Sequence, residues 1–175
     1  MIFTRRSFVL WLLSLLPVFS ACTNDPAGVI RQLFQDEENE QQEHKADGKE
    51  FTGDLKKYHE AMSHFEAMEL MALEVYDKGQ NMSKAELLKE INDRGIYYWN
   101  ECITLIQSMD SLDIPGAYQM QDVLLTDYCR LRLAQYKLFY RAIEEETDKY
   151  DDKLTFLDEQ INLKIKELNK LRGRQ

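Results

Sequence analysis

The stretch SKAELLKEINDRGIYYWNECITLIQSMDSLDIPG, residues 83–116, decides the fold class of this chain. Its apolar residues recur at alternating spacings of three and four, which places them on one face of a helix, and no proline interrupts them before Pro115. Ser83 followed by Glu86 is typical of a helix start, and the Pro-Gly pair at the end predicts a turn. We therefore expect one long helix over residues 83–112. Its apolar face consists of Leu88, Ile91, Gly95, Tyr98, Cys102, Leu105, Met109 and Leu112.

The same periodicity continues on both sides of this stretch. It predicts further helices over residues 53–78, 117–148 and 152–171. Residues 147–153 contain neither glycine nor proline, but the acidic pair that begins at Asp151 suits the start of a new helix. Four helices with short connections predict an all-α, up-down-up-down four-helix bundle. If the last two helices are continuous, the alternative is a three-helix bundle with a long C-terminal coiled-coil arm.

The second and third predicted helices carry more apolar residues than one narrow face requires. The expected core of the third helix is Met120, Leu124, Leu131, Tyr136, Leu138, Phe139 and Tyr140. The second helix has an additional apolar line, formed by Ile96, Trp99, Ile103 and Ile106. A bundle helix touches two neighbours and needs a wide apolar arc, whereas Trp and Tyr also anchor protein interfaces. Tyr97 and Trp99 are therefore candidate partner contacts.

Two cysteines, Cys102 and Cys129, lie on the second and third predicted helices. In an antiparallel pair that turns at Pro115 and Gly116, residues whose numbers add to about 231 lie at the same height, and these two meet that condition. The pattern leaves two alternatives, a disulfide between the helices or two unpaired thiols that pack as small apolar side chains. The lack of a Cys-x-x-Cys motif argues against a redox-active site.

The histidines argue against the metal sites that four-helix bundles often hold. A di-iron site needs Glu-x-x-His on two helices, but His44, His59 and His64 all precede the second predicted helix. His59 and His64 are five positions apart, so they cannot chelate one ion as an i, i+4 pair does. The sequence also lacks haem, nucleotide and hydrolase motifs. We therefore expect no catalytic residue, no metal and no cofactor.

Two further hypotheses stay open. A small apolar or aromatic ligand could lie between the helices near Tyr98, Tyr128 and Tyr136. An enzyme with an unfamiliar carboxylate site would need buried acids, for which Glu69 and Asp127 are candidates because both fall close to apolar faces. An interior cavity would favour the first hypothesis, and buried acids would favour the second.

The N-terminal segment differs in character from the rest of the chain. Arg5 and Arg6 precede an apolar run over residues 8–19, which is too short for a membrane span and is typical of an export signal. The two arginines also look like a twin-arginine motif, but the strongly apolar run favours the general secretory route. Residues 19–22, Phe-Ser-Ala-Cys, resemble the lipobox of bacterial lipoproteins. The resemblance, which covers the export signal alone, implies cleavage before Cys22, lipidation of that cysteine and a membrane anchor.

Residues 22–50 are polar and acidic, which predicts a flexible tether between a signal peptide over 1–21 and a helical domain over 51–175. Within the tether, Ile30 and Phe34 belong to a short apolar group at helical spacing, and this group is a candidate docking segment for a partner. The net charge is −9, and it becomes −11 once the signal peptide, which has two arginines and no acid, is removed. This charge argues against binding to nucleic acid or to an anionic membrane surface.

These observations together predict a membrane-anchored envelope lipoprotein that acts as a non-enzymatic interaction or scaffold subunit of an envelope assembly. Thr23, rather than an aspartate, follows the lipidated cysteine. By resemblance to lipoprotein sorting in enterobacteria, this implies the outer membrane, with the bundle facing the periplasm. The expected partners are the membrane, through the lipid on Cys22, and a protein of the envelope.

Overall fold

Residues 52–79 and 82–172 are described by a computed structural model, and within these ranges the chain is an all-α helical bundle. Two short helices and the π-helical segment between them follow one another without a break and form the second of four rods. The elements are α1 (Thr52–Lys78), α2 (Lys84–Glu90), the π-helical segment (Ile91–Ile96), α3 (Tyr97–Ser108), α4 (Gly116–Glu145) and α5 (Asp151–Arg172). The predicted fold class is therefore confirmed.

Side-chain contacts between the rods give their directions. Early residues of one rod pair with late residues of the next, so neighbouring rods are antiparallel, as short connections require. For α1 and the second rod, Glu74 pairs with Arg94, and Asp54 pairs with the backbone of Asp113, which follows the end of that rod. For α4 and α5, Gln135 pairs with Asp158, and Asp127 pairs with Lys164. In contrast, α1 and α4 are parallel, because early residues of both helices pair with each other and late residues do the same. Tyr58 pairs with Asp122, and Tyr76 pairs with Gln135. The order is up-down-up-down.

The chain breaks between α4 and α5, so the alternative with a continuous C-terminal arm is wrong. Glu146 adopts the left-handed conformation, with φ of 51°, and ends α4. The N–H of Thr147 then donates to the carbonyl of Ala142 at 3.1 Å. This geometry satisfies a carbonyl of the last turn and sends the chain back along the bundle. The acidic pair at the start of α5 begins at Asp151, as the helix dipole favours.

The second rod departs from the predicted helix in two places. It contains a π-helical segment, in which Gly95 packs so closely on Tyr136 that an added Cβ would lie 2.2 Å from the ring. It also ends at Ser108 rather than at residue 112. The N–H of Asp113 donates to the carboxylate of Asp54 at 3.1 Å, and the buried Ile114 packs into the core, so the last predicted turn opens into a loop.

The core contains both apolar lines of the second rod. Trp99 and Ile106, from the additional line, are as deeply buried as Cys102, from the predicted face. Met120 was predicted as a core residue of α4, but it is 58 % exposed, so that prediction is wrong. The physical reason is that polar side chains occupy part of the inward face of α4, which rotates Met120 out to solvent. Over residues 52–79 and 82–172, none of the helices combines the length and apolarity that crossing a membrane requires.

Candidate functional site

A cluster of polar side chains fills the centre of the bundle between α1, α4 and α5. We call it the polar core. Its members are Glu69, Tyr76, Tyr128, Arg132, Gln135 and Asp158. Glu69, Arg132 and Gln135 are buried, and charged side chains are almost never buried without partners. Glu69, one of the two acids considered for a carboxylate site, is therefore buried, and the hypothesis of an enzyme stays a hypothesis.

Hydrogen bonds join the polar core from one side of the bundle to the other. The Tyr128 hydroxyl donates to Glu69 Oε1 at 2.7 Å, and Arg132 Nε donates to the Tyr128 hydroxyl at 3.3 Å. The guanidinium also donates through Nη1 to Gln135 Oε1 at 3.2 Å. The Gln135 amide then donates to Asp158 on α5. Each buried polar group that these bonds satisfy avoids a desolvation cost of about 1–3 kcal/mol.

Burial keeps the tyrosines of the polar core in their protonated form. It raises the pKa of Tyr76 to about 12, and it raises the pKa of Tyr128 well above the ordinary value for a phenol. Burial also raises the pKa of the Asp158 carboxyl, although the hydrogen bond from Gln135 and the charge of Arg132 act in the opposite direction. The two tyrosines therefore act as hydrogen-bond donors near neutral pH, which suits a structural network rather than proton transfer.

The tyrosines that were predicted to flank a ligand belong to the packed interior. Tyr128 and Tyr136 are fully or almost fully buried, and Trp99 packs edge-on against both, with ring centroids 5.6 and 6.2 Å apart. The Tyr136 hydroxyl donates to the carbonyl of Ala72 at 2.8 Å. Tyr98 is partly buried against the same core. A ligand between these residues would have to displace contacts that already satisfy them.

A second polar feature is an open groove where α3 turns into α4. We call it the acidic groove. Its cavity has a volume of about 450 Å³, within the range of roughly 300–1,000 Å³ for ligand pockets. Among its lining residues are three acids, Asp110, Asp122 and Asp127. The candidate acid Asp127 is partly exposed, and its carboxylate pairs with the Lys164 ammonium of α5 at 3.2 Å.

Asp122 is the buried acid of the acidic groove. The Tyr58 hydroxyl of α1 donates to its Oδ1 at 3.0 Å. Burial raises the pKa of the Asp122 carboxyl to about 6, the hydrogen bond from Tyr58 lowers it, and the negative charge of Asp110 raises it further. Perturbed carboxyl groups in open pockets are often found at functional sites. The acidic groove is therefore the candidate functional site of the bundle.

Local sequence explains how the groove forms. After α3 ends, the N–H of Met109 bonds to the carbonyl of Ile106 at 3.0 Å, which tightens the chain into a turn. Pro115 caps α4, since its carbonyl accepts the N–H of Tyr118 at 3.0 Å and proline suits a helix start. Met109 and Ile114 are buried below this turn. They form the apolar floor over which the acids are arranged.

Cys102 and Cys129 are both buried, and their side chains contact each other across α3 and α4. Burial raises the pKa of the Cys129 thiol well above its ordinary value, and a hydrogen bond with Cys102 raises it further. Gly95 and Tyr136, which pack against each other, have numbers that also add to 231, as expected for residues at the same height in this antiparallel pair. The structure holds the two cysteines as free thiols. The disulfide between them therefore stays a prediction.

The other predicted contact residues have different positions. Tyr97 is 52 % exposed and lies edge-on against Tyr98, with ring centroids 5.1 Å apart. Trp99 has no exposed surface and packs in the core, so the bundle offers no surface of Trp99 for a partner contact. The reason is that α3 faces both α1 and α4 and needs a wide apolar arc. Cys22, Ile30 and Phe34, with the predicted signal peptide and tether, lie outside the described residues.

In the part of the chain that the structure describes, no group of three or more His, Cys, Asp or Glu side chains is placed to hold a metal ion. His59 is half-buried in α1, and burial lowers the pKa of its imidazole. Its ring lies edge-on to Tyr118, with centroids 6.0 Å apart. The arrangement of this histidine is that of a packed aromatic side chain.

The sequence analysis missed Asp122, Arg132 and Gln135, which lie on the inward face of α4. The signal was present in their spacing: Asp122, Leu125, Tyr128, Arg132 and Gln135 follow one another at intervals of three or four. A search for apolar residues alone passes over such positions, because it treats a polar residue as the end of the apolar face. Extending the spacing of the buried apolar residues through the polar ones would have identified all three.

The comparisons with known proteins add no relative to this description. No protein-family model, no curated protein and no solved structure matches the chain.

Proposed function

We propose that this chain is a lipid-anchored protein of the bacterial envelope and acts as a non-enzymatic interaction subunit of an envelope assembly. The anchor is inferred from the export signal and from Cys22, and Thr23 directly behind that cysteine suggests the outer membrane with the bundle facing the periplasm. The acidic tether over residues 22–50 would let the bundle reach a partner without fixing its orientation.

The acidic groove is the observation that carries the interaction part of this proposal. The interior between the helices is occupied by the polar core and by packed aromatic rings, whereas the groove is open at the surface. It combines a buried apolar floor with charged groups at its rim. Protein interfaces have the same composition, with an apolar centre and a polar surround.

Site-specific photocrosslinking of the full-length chain in its native membranes tests the proposal. A photoreactive amino acid replaces Val123, which lines the groove and is 63 % exposed. The matched control places it at Phe156, which is 56 % exposed on the first half of α5. We expect a protein adduct at Val123, little or none at Phe156, and loss of the adduct in a Cys22→Ala background.

Three results would contradict parts of this proposal. An adduct that forms at Phe156 and not at Val123 would move the interface away from the groove. No adduct at either position, from a chain that fractionates with membranes, would contradict the interaction function. A Cys22→Ala chain that still fractionates with membranes would contradict the lipid anchor.

A further inference from the structure

The acidic groove has two chemically distinct parts. Its apolar part is formed by Met109 and Ile114, which are buried, and by Leu112, which is partly buried. Its three aspartates stand around this floor. A ligand that fills the groove must therefore bring an apolar segment and a polar or charged end. Long basic side chains have this composition, because an aliphatic stem carries the cationic head.

The charge of the groove favours a cation. Asp110, Asp122 and Asp127 line it together with the basic side chain of Arg130. Lys164 neutralises Asp127 in part, since the two charged groups are 3.2 Å apart. The excess charge is therefore negative, as it is for the mature chain, which carries −11. Three aspartates against these two basic side chains leave an excess of one negative charge, and a cleft with excess charge of one sign attracts ligands of the opposite sign.

Asp122 is the acid best placed to receive the cationic head. It is buried at the groove, and within the described residues the Tyr58 hydroxyl is its only hydrogen-bond donor, at Oδ1. A carboxylate can accept several hydrogen bonds through its two oxygens. Lysine and arginine side chains are the strong donors that such a buried carboxylate prefers, because charge-assisted hydrogen bonds are about twice as strong as neutral ones.

The three acids suit an extended organic cation better than a metal ion. A metal ion needs several ligands that converge on one point at short distances. In residues 52–79 and 82–172, no three acidic, histidine or cysteine side chains converge in that way. The ammonium or guanidinium group of a long side chain can instead bond to one aspartate and interact with the other two over longer distances.

We infer that the acidic groove binds a lysine or arginine side chain of the partner protein, with the cationic head on Asp122 and the aliphatic stem on the floor that includes Met109 and Ile114. This inference rests on the proposed function and specifies the chemistry of the partner. The carboxylate destabilises the empty fold, since burial opposes its charge. A bound cation removes that cost, so the groove selects cations over neutral side chains.

The test uses the lipidated chain in detergent micelles, with its methionines labelled on the methyl carbon. Met109 lies in the groove and reports binding, while Met62 lies in the core near Tyr58 and Phe65 and serves as an internal control. The probe is lysine with its α-amino group acetylated and its carboxyl group as the methylamide. The neutral control is the same compound with the ε-amino group acetylated. We expect the Met109 signal alone to shift, and only with the charged probe.

Variants with one acid replaced give the decisive comparison. Asp122→Asn keeps the shape and removes the charge, and we expect the apparent affinity to fall at least about tenfold, because a hydrogen bond to a charged group is lost. The matched control is Asp152→Asn, an exposed acid at the start of α5, which should bind as the unmodified chain does.

Further outcomes would overturn the inference. Equal shifts with the neutral probe, or unchanged affinity in Asp122→Asn, would exclude cation recognition by this carboxylate. A polyamine such as spermidine that binds far more tightly than the lysine probe, with the same dependence on Asp122, would identify a free small cation as the occupant. In either case, a Val123 photocrosslink to a protein would still support the interaction function, so the two proposals can fail separately.

Discussion

Buried charge has opposite consequences in two regions of this bundle, the polar core and the acidic groove. In the polar core, Arg132 donates hydrogen bonds to Tyr128 and Gln135, and the network continues to acids on α1 and α5. In the groove, Asp122 accepts a hydrogen bond from Tyr58 and faces other acids. A buried charge with partners holds helices together, whereas one with too few partners costs stability and is available for a ligand.

The same contrast holds between two buried charged residues of a single helix. Arg132 and Asp122 both lie on the inward face of α4, ten positions apart. Removing charge at Arg132 should destabilise the fold strongly, and removing it at Asp122 should not.

The largest effect is expected for Arg132→Met. The substitution keeps an apolar stem but leaves Glu69 buried without the guanidinium beside its hydrogen-bonded tyrosine. Breaking a buried charge network from one side typically costs about 3–5 kcal/mol. We therefore expect a loss of that size in the free energy of unfolding, measured by urea denaturation. Arg141→Met, an exposed position on the same helix, should change it by less than about 0.5 kcal/mol. Equal losses for the two variants would contradict the structural role of the polar core.

The next effect concerns the cysteine pair in the interior. Cys102 and Cys129 contact each other across α3 and α4, so a disulfide would close the turn between them. Such a crosslink typically adds about 2–4 kcal/mol. Under the proposed location in the oxidising envelope, we expect intact-mass analysis of the chain isolated from its native cells to show two hydrogens fewer than the dithiol form. Reduction should then lower the midpoint of thermal unfolding. A fully reduced mass under non-reducing conditions would instead support two unpaired core thiols.

The next prediction concerns the packing of Gly95 against Tyr136 in the interior, and it involves no change of charge. In Gly95→Ala, the new Cβ would lie 2.2 Å from Tyr136 Cδ1, so the ring would have to shift and would strain its hydrogen bond to Ala72. Overpacking of this kind typically costs about 1–3 kcal/mol. The control is Gly116→Ala because, among the described residues and apart from the adjoining residues and backbone of its own helix, no atom lies within 4 Å of its added Cβ. A control variant that loses as much stability as Gly95→Ala would contradict this account of the π-helical segment.

The fold class could be predicted from the sequence because helix-forming periodicity and turn residues act locally. The break between α4 and α5 followed from the acids at Asp151, although no glycine or proline marks it. The C-cap at Glu146 could not be predicted, since a left-handed residue other than glycine is uncommon there. The end of α3 was also missed, because the bond between Asp113 and Asp54 joins residues far apart in the chain.

The polar residues of the acidic groove and of the polar core could be predicted only in part, because they break the apolar pattern that locates a core. Glu69 was identified as an acid close to an apolar face, and it is buried. Asp122 and Arg132 were not identified, since a polar residue at an inward position looks the same in sequence as one on a solvated face. What distinguishes them is the tertiary contact that each makes, Tyr58 for Asp122 and Tyr128 for Arg132.

The smallest effect, and the one that separates the two regions most directly, is expected for Asp122→Asn. The amide can still accept the hydrogen bond from Tyr58, but it carries no charge. Because the groove is open to water, we expect a gain of about 1 kcal/mol or less in unfolding free energy at neutral pH. The sign is opposite to that at Arg132.

The pH dependence of the stability difference between the wild-type chain and the Asp122→Asn variant shows whether the charge of Asp122 causes it. The pKa of Asp122 is about 6 in the folded chain and about 3.9 in an unfolded one. Between these values the folded state binds more protons, so Asp122 makes the wild-type chain lose stability as the pH rises through that window. The amide side chain of the Asp122→Asn variant does not titrate. The gain in unfolding free energy of the variant over the wild-type chain should therefore be absent near the unfolded pKa. It should grow as the pH rises to about 6 and stay constant above that pH. Urea denaturation of both chains across this range measures the difference, and an advantage that shrinks as the pH rises would show that Asp122 is stabilised in the fold, like the charges of the polar core.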